Sequence, residues 1–333
     1  MKKIRVAVNG FGRIGRTVSR LLLADDRFHL VGINDLYDVV TMAHLFKYDS
    51  VHKKYKGDVQ TGNGSLMVDG HHIVYTSTKN PEDLPWHELH VDVLIESTGV
   101  FKTRNELEAH IKAGARKVLL SAPSDDDSIK TIVRGVNDEL LTRDDVIVSN
   151  ASCTTNSAAP MIYLLEQLCD IEYCYITTIH SYTGDQRLHD APHKDLRRGR
   201  AAAESIVPTT TGAAKALTRI FPQLKDCMGG CGIRVPVPNG SLTDITCTVR
   251  KPHSIEQINS AFQAASQNEM KGIIEYTEDP IVSRDVIGNP HSCIFDAQLT
   301  SVIGDMVKVV GWYDNEVGYA NRLVDLAVRM QTF

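Results

Sequence analysis

The chain has 333 residues, more than a single hydrophobic core usually serves, so two domains are the default expectation. Its 42% hydrophobic and 23% charged residues suit a soluble globular protein, and a net charge of −5 argues against dedicated binding of nucleic acid. No apolar run approaches the roughly 18 residues of a membrane span, and the first strand-like run is too short for a signal peptide.

In the first 150 residues, runs rich in Val, Ile and Leu at 4–8, 29–33, 91–96, 117–120 and 146–149 read as buried strands. Helical patterns at 14–24, 39–46 and 105–113 lie between several of them, and this alternation predicts a parallel, doubly wound sheet. Residues 67–77 read instead as a hairpin turning at Asp69-Gly70. Beyond Ser149 the pattern changes. A helix is predicted over 154–168, a β run over 173–179, and a loop from 181 to about 203. Further strands at 242–249, 292–299 and 306–312, with a helix at 255–267, indicate an α+β domain on an antiparallel or mixed sheet. An amphipathic helix over 319–331 closes the chain, with Leu323, Leu326, Ala327 and Met330 on one face.

Gly10-Phe11-Gly12-Arg13-Ile14-Gly15 follows the first strand and opens the first helix, matching G-x-G-x-x-G in its proper context. The first glycine permits a tight turn, the second lets a pyrophosphate approach the backbone, and the third allows close helix–strand packing. The helix N-terminus then offers its unpaired N–H groups to the phosphates. Asp35, twenty residues past Gly15, ends the second strand. Its carboxylate accepts hydrogen bonds from a ribose diol and repels a 2′-phosphate, which predicts NAD over NADP. Arg13 stands where a cation would neutralise pyrophosphate, with a solvated surface arginine as the alternative.

Seven cysteines, with no C-x-x-C pair and no zinc-like His/Cys spacing, read as reduced thiols of a cytoplasmic protein, and no metal site is expected. Cys153 differs from the rest. In Ser149-Asn150-Ala151-Ser152-Cys153-Thr154-Thr155-Asn156 it lies between a buried strand and a long helix, where the helix dipole and free N–H groups lower a thiol pKa. Ser152, Thr154 and Thr155 surround it with hydroxyls. Cys169, Cys174, Cys227, Cys231, Cys247 and Cys293 lack such a setting and read as inert. A cysteine nucleophile normally needs a base. Among thirteen histidines His180 stands out, because it ends a β run and opens the polar segment Ser181-Tyr182-Thr183-Gly184-Asp185. Spacing alone leaves their contact open.

Together with segments 9–16, 180–187, 190–200, 208–215 and 313–319, the 149–156 block resembles the signature set of glyceraldehyde-3-phosphate dehydrogenases, in that family's order along essentially the whole chain. The Ser-Cys-Thr-Thr-Asn block is far more specific than the glycine motif. The resemblance implies oxidation and phosphorylation of glyceraldehyde 3-phosphate with NAD and inorganic phosphate, through a hemithioacetal and a thioester on Cys153, with His180 as the acid–base group. It assigns Thr183, Arg198 and Arg234 to phosphate binding, and Ser152, Thr154, Thr211 and Gly212 as donors to inorganic phosphate. Gly12, Arg13, Ile14, Asp35, Lys79, Ser121 and Asn315 fall at its cofactor positions, with Asn315 on the carboxamide. A surface or subunit-contact role is the alternative for at least one of Arg197, Arg198 and Arg200.

The resemblance further implies an NAD-binding Rossmann domain over 1–151 and a catalytic domain over 152–317. Residues 318–333 would form a helix packed back on the first domain. The 181–203 loop resembles the family's subunit-spanning loop, with Pro192 in its NAD-preferring form, and a homotetramer follows from resemblance only. Ser157 stands where the family usually has a second cysteine, and Gly230-Cys231-Gly232-Ile233 replaces a bulkier run before Arg234. The rival readings are an erythrose-4-phosphate dehydrogenase, which tends to lack the Ser181–Gly184 block, and a non-enzymatic thiol sensor or binding role on the same scaffold.

Overall fold

The structure, a computed structural model, describes residues 2–332; Met1 and Phe333, the ends of the first and last expected segments, lie outside the described residues. Contacts divide the chain into two units. One holds residues up to Ile132, Asp138–Ala151 and the chain from Ala320; the other holds Val133–Asn137 and Ser152–Tyr319.

The first unit carries nine strands: β1 (Ile4–Asn9), β2 (Phe28–Asn34), β3 (Val59–Gly62), β4 (Ser65–Val68), β5 (His71–Thr76), β6 (Val93–Glu96), β7 (Val118–Leu120), β8 (Lys130–Thr131) and β9 (Ile147–Ser149). Its helices are α1 (Arg13–Ala24), α2 (Val39–Lys47) and α3 (Arg104–Lys112). The sheet runs β3-β4-β5-β2-β1-β6-β7-β9-β8, parallel from β5 through β8 and antiparallel only at the β3-β4-β5 edge. Its central strands are apolar on both faces, with Val6, Ala7, Val8, Leu94, Ile95 and Leu119 fully buried, as a sheet covered on both sides requires. Strand order reverses at β1, so its C-terminal end is the topological switch point where such folds bind ligands.

The expected hairpin is β4–β5, and its two turn residues, Asp69 (φ 49°) and Gly70 (φ 80°), both take the left-handed backbone of a tight primed turn. Strand β3 was not anticipated; Gln60, Thr61 and Gly62 are exposed at the sheet edge and show no apolar alternation.

The second unit carries β10 (Ile171–Ser181), β11 (Val207–Thr209), β12 (Met228–Val235), β13 (Ser241–Val249), β14 (Ile274–Thr277), β15 (Cys293–Asp296), β16 (Ser301–Ile303) and β17 (Met306–Tyr313). Helices α4 (Cys153–Cys169), α5 (Ala213–Ile220) and α6 (Ile255–Gln267) accompany them. The order is β11-β12-β10-β13-β17-β15-β14, with β16 beside β17. Pairing is antiparallel except for β10–β12 and β14–β15, giving the mostly antiparallel sheet expected.

Two expectations need correction here. The strand expected over 292–299 stops at Asp296, whose carboxylate accepts the Gln298 N–H (3.1 Å) and turns the chain into a 3-10 turn, Ala297–Leu299. Strand β12 was missed because Gly229, Gly230 and Gly232 erase its β signature. Those glycines let it lie close to β10, since a side chain at Gly230 would meet the Ile176 carbonyl at 2.8 Å. The last helix, α7 (Val317–Met330), belongs to the first unit from Ala320 on; it buries Leu323, Leu326, Ala327 and Met330, and the Met330 carbonyl accepts from Lys117 Nζ within that unit. No helix among the described residues is long and apolar enough to cross a membrane.

Candidate active site

The nucleotide turn of the first unit has the expected division of labour among its glycines. Gly10 has φ +90°, and a Cβ there would stand 2.6 Å from the Thr98 nitrogen; one at Gly15 would stand 2.0 Å from the Gly10 carbonyl oxygen. Gly12 faces open space, and no side chain caps the start of α1 there. An uncapped helix N-terminus beside an unobstructed glycine suits a pyrophosphate. Asp35, directly after β2, accepts the Phe11 N–H (2.7 Å) and the Tyr37 N–H (3.1 Å), which tie its carboxylate to the turn while leaving acceptor capacity for a diol. These residues therefore fit a dinucleotide.

The remaining cofactor positions differ among themselves. Arg13 Nη1 is paired with Asp49 at 2.5 Å; burial raises the Asp49 pKa, but the His52 N–H and the Arg13 guanidinium outweigh it and hold Asp49 at about 2. Ile14 is half-buried in the first turn of α1. Ser121 follows β7, its N–H bonded to the Glu96 carbonyl at 2.9 Å. Lys79 is exposed. Asn315, in the second unit, is buried, and its Oδ1 accepts from both the Ser181 and Ser241 hydroxyls at 2.9 Å. That fixes the amide with Nδ2 as its remaining donor.

In the second unit Ser152 is the N-cap of α4, its Oγ accepting the Thr155 N–H at 3.1 Å, which places Cys153 at the first helical position. His180 lies near the end of β10, on the same face as buried Ile176 and Thr178. Cys153 Sγ and His180 Nε2 are 3.4 Å apart. The other ring nitrogen lies 2.7 Å from the Ser181 carbonyl oxygen, and Arg234 Nη1 lies 2.7 Å from that nitrogen and 3.0 Å from the same oxygen. The tautomer with Nδ1–H donating to Ser181 turns the Nε2 lone pair to the sulfur and leaves that carbonyl as the acceptor for Arg234, whereas the tautomer with Nδ1 accepting from Arg234 puts Nε2–H toward the sulfur.

Burial dominates the electrostatics of the pair. It pushes the His180 pKa down to about 3, assisted by the Arg234 charge, so the imidazole is neutral. Burial also raises the Cys153 thiol, against the opposing pull of Arg234, the Thr154 N–H and hydroxyl, and the cysteine's own N–H. This corrects the expectation of a thiol lowered by its helix: the helix terminus acts in the anticipated direction, but burial outweighs it. Cys153 as a residue is half-buried. The arrangement is a neutral thiol facing a neutral base.

The phosphate candidates are partly engaged. Arg198 donates to Asp185 (2.6 Å) and Thr209 (3.0 Å), while Arg200 pairs with Asp190. Arg197 and Arg200 are both exposed. The Thr183 N–H donates to Gln186 Oε1 (3.3 Å). Thr211 Oγ1 accepts the Ala213 N–H (3.2 Å), and Gly212, the N-cap of α5, carries no side-chain cap. Thr154 is buried, with its hydroxyl 3.0 Å from that of Tyr313, which also meets Thr178 at 2.9 Å. The Tyr313 ring stands edge-on to His180, centroids 6.1 Å apart. Sequence reasoning missed Tyr313 and Thr178 as supports of the pair; only the i, i+2 relation of Thr178 to His180 on one strand face could have signalled either. Ser157, in place of the usual second cysteine, is buried and accepts from the Thr243 hydroxyl at 3.1 Å.

Residues 4–104 match the model described as glyceraldehyde 3-phosphate dehydrogenase, NAD binding domain, and residues 152–315 match that of the C-terminal domain. The chain belongs to the glyceraldehyde-3-phosphate dehydrogenase family. It is 52% identical to glyceraldehyde-3-phosphate dehydrogenase 2 of Streptomyces avermitilis over 98% of both chains. It is 49% identical to the Geobacillus stearothermophilus glyceraldehyde-3-phosphate dehydrogenase over 97% of both. A Thermotoga maritima relative of the same name is 51% identical over 96% of this chain and 97% of its own. As a member of this family the chain is an NAD-dependent oxidoreductase.

Proposed function

We propose that this chain oxidises and phosphorylates D-glyceraldehyde 3-phosphate to 1,3-bisphosphoglycerate, with Cys153 as nucleophile and His180 as its base. The 3.4 Å approach of Cys153 Sγ to His180 Nε2 carries the reading. Sγ attacks the aldehyde carbon while Nε2 takes the thiol proton; the resulting imidazolium donates to the hemithioacetal oxygen. Bound NAD supplies the two-electron acceptor that converts the hemithioacetal to a thioester. His180 withdraws the hydroxyl proton in that oxidation, then returns a proton to the thiolate released when phosphate attacks the acyl carbon. The thioester retains much of the oxidation energy, so its phosphorolysis yields an acyl phosphate rather than an acid.

Gly12, Arg13, Ile14, Asp35, Ser121 and the exposed Lys79 would hold the cofactor, with Asn315 Nδ2 donating to the nicotinamide carboxamide. Arg234, Arg198 and Thr183 would bind phosphate oxygens, with Ser152, Thr154, Thr211 and Gly212 as further donors; arginine forks match such oxygens in pairs. For Arg198 this requires exchanging Asp185 for the ligand.

We also propose a cytoplasmic homotetramer. All seven cysteines are free thiols, and Leu188, Leu196 and Ile206 are 75%, 85% and 68% exposed, apolar surface suited to a subunit interface. Light scattering should give four times the 36.9 kDa chain mass. The activity is tested by NADH absorbance with glyceraldehyde 3-phosphate and NAD. Continuous NADH formation that requires phosphate or arsenate is expected; phosphate-independent turnover, or preference for erythrose 4-phosphate, would refute the assignment.

A further inference from the structure

Beneath the nucleotide turn lies a polar cluster that the mechanism does not use. Glu96, the last residue of β6, is fully buried, as are His110 and Trp86, and Asn9 is 1% exposed. The Glu96 carboxylate receives four hydrogen-bond contacts. Asn9 Nδ2 donates to Oε2 at 2.6 Å and His110 Nε2 lies 3.1 Å from the same oxygen; the Thr98 N–H and hydroxyl donate to Oε1 at 2.7 and 2.5 Å. Trp86 Nε1 donates to His110 Nδ1 at 3.1 Å, so Nδ1 is an acceptor and the ring proton is on Nε2, facing Glu96. Asn9 in turn accepts from Asn34 Nδ2 at 2.7 Å, and Asn34 Oδ1 accepts the Thr78 N–H at 2.9 Å. One carboxylate thus joins the C-terminal ends of β1, β2 and β6 and the segment after β5.

Those ends form the nucleotide turn. Gly10 is packed so tightly on Thr98 that a Cβ would stand 2.6 Å from its nitrogen, and the Ser97 hydroxyl donates to the Gly10 carbonyl oxygen at 2.7 Å. Any shift of Thr98 is therefore passed to Gly10. Asn34 precedes Asp35, the residue that holds the Phe11 N–H. We infer that Glu96 is a positioning residue for the cofactor, fixing the backbone of the 97–99 segment against Gly10 through Thr98 and aligning β2 through Asn9. The inference rests on reading this turn as the NAD site.

The site requires an acceptor at both oxygens. Glutamine has the shape of glutamate but presents N–H groups on one side, where donors already converge. Turned toward Asn9 and His110, its amide would meet the His110 Nε2–H that Trp86 enforces. Turned toward Thr98, it faces the Thr98 N–H and releases that segment. Glu96→Gln should therefore loosen NAD binding.

The test is calorimetric titration of NAD into wild type, Glu96→Gln, Thr98→Val, the double variant, and Val118→Ala, a cavity in the same sheet that removes no hydrogen-bonding group. The expected Kd increase for Glu96→Gln is about tenfold, the equivalent of about 1.4 kcal/mol and within the range for a buried donor left unpaired. Thr98→Val should weaken binding less, and the double variant should bind like Glu96→Gln alone, because Thr98 acts through Glu96. The rate of Cys153 alkylation without NAD should be unchanged in all. Wild-type affinity in Glu96→Gln and Thr98→Val, equal weakening by Val118→Ala, or additive losses in the double variant would overturn the inference. If Glu96→Gln does not fold, Thr98→Val against Val118→Ala decides. Because NAD binding is read directly, the outcome is independent of whether glyceraldehyde 3-phosphate proves to be the substrate.

Discussion

Replacing His180 with Asn removes the proton acceptor 3.4 Å from Cys153 Sγ while keeping a hydrogen-bonding side chain of similar reach. With its pKa pushed down to about 3, His180 is a neutral imidazole throughout pH 6–9. Loss of a positioned base typically slows reaction about 10²–10⁴-fold, about 2.7–5.4 kcal/mol in the barrier. The sign of the pH dependence follows from the raised thiol: at low pH almost no Cys153 ionises unaided, and at high pH an increasing share does. The variant's deficit in kcat/KM for the aldehyde should therefore be largest near pH 6 and shrink steadily toward pH 9. Stopped-flow NADH absorbance across that range measures it. A constant ratio, or wild-type rates at pH 6, would show that His180 is not the base and that the thiol is activated otherwise.

Cys153→Ser should abolish measurable turnover while calorimetry still detects NAD binding; retained turnover would remove the covalent route. Wild type should show a much higher kcat/KM with NAD than with NADP, and Asp35→Asn should narrow that ratio by relieving repulsion of the 2′-phosphate; equal wild-type values would refute the reading of Asp35. Arg234→Gln should shift the pH profile of Cys153 alkylation upward, because Arg234 provides the largest pull toward the thiolate; an unshifted profile would assign that pull to the helix N–H groups. Asp49 is held below its ordinary range, so its contribution is present above about pH 4 and lost as pH falls through about 2; Asp49→Asn should cost about 1 kcal/mol at pH 7, by urea denaturation, and progressively less under acid.

Much of this was legible in the sequence because the signals were local. Buried parallel strands are continuous apolar runs, and Gly10 and Gly15 each match a local steric requirement. The helix over 255–267 was readable to its boundaries, since Ser254 and Gln257 form its capping box. What escaped was nonlocal. Strand β12 owes its place to pairing with β10 and not to its glycine-rich composition. The Glu96 cluster joins residues up to 101 positions apart, each ordinary in its own stretch. The direction of the Cys153 shift depended on burial in the folded chain, which no helix-terminus argument could weigh.

The central claim, a thioester on Cys153 that phosphate resolves, is tested most directly by mass spectrometry. The protein is mixed with glyceraldehyde 3-phosphate and NAD without phosphate, quenched in acid and digested. One phosphoglyceroyl group per chain should be found on the peptide containing Cys153, and it should disappear with release of an acyl phosphate when inorganic phosphate is added before the quench. Absence of the adduct, its location on another residue, or its persistence in phosphate would contradict the account.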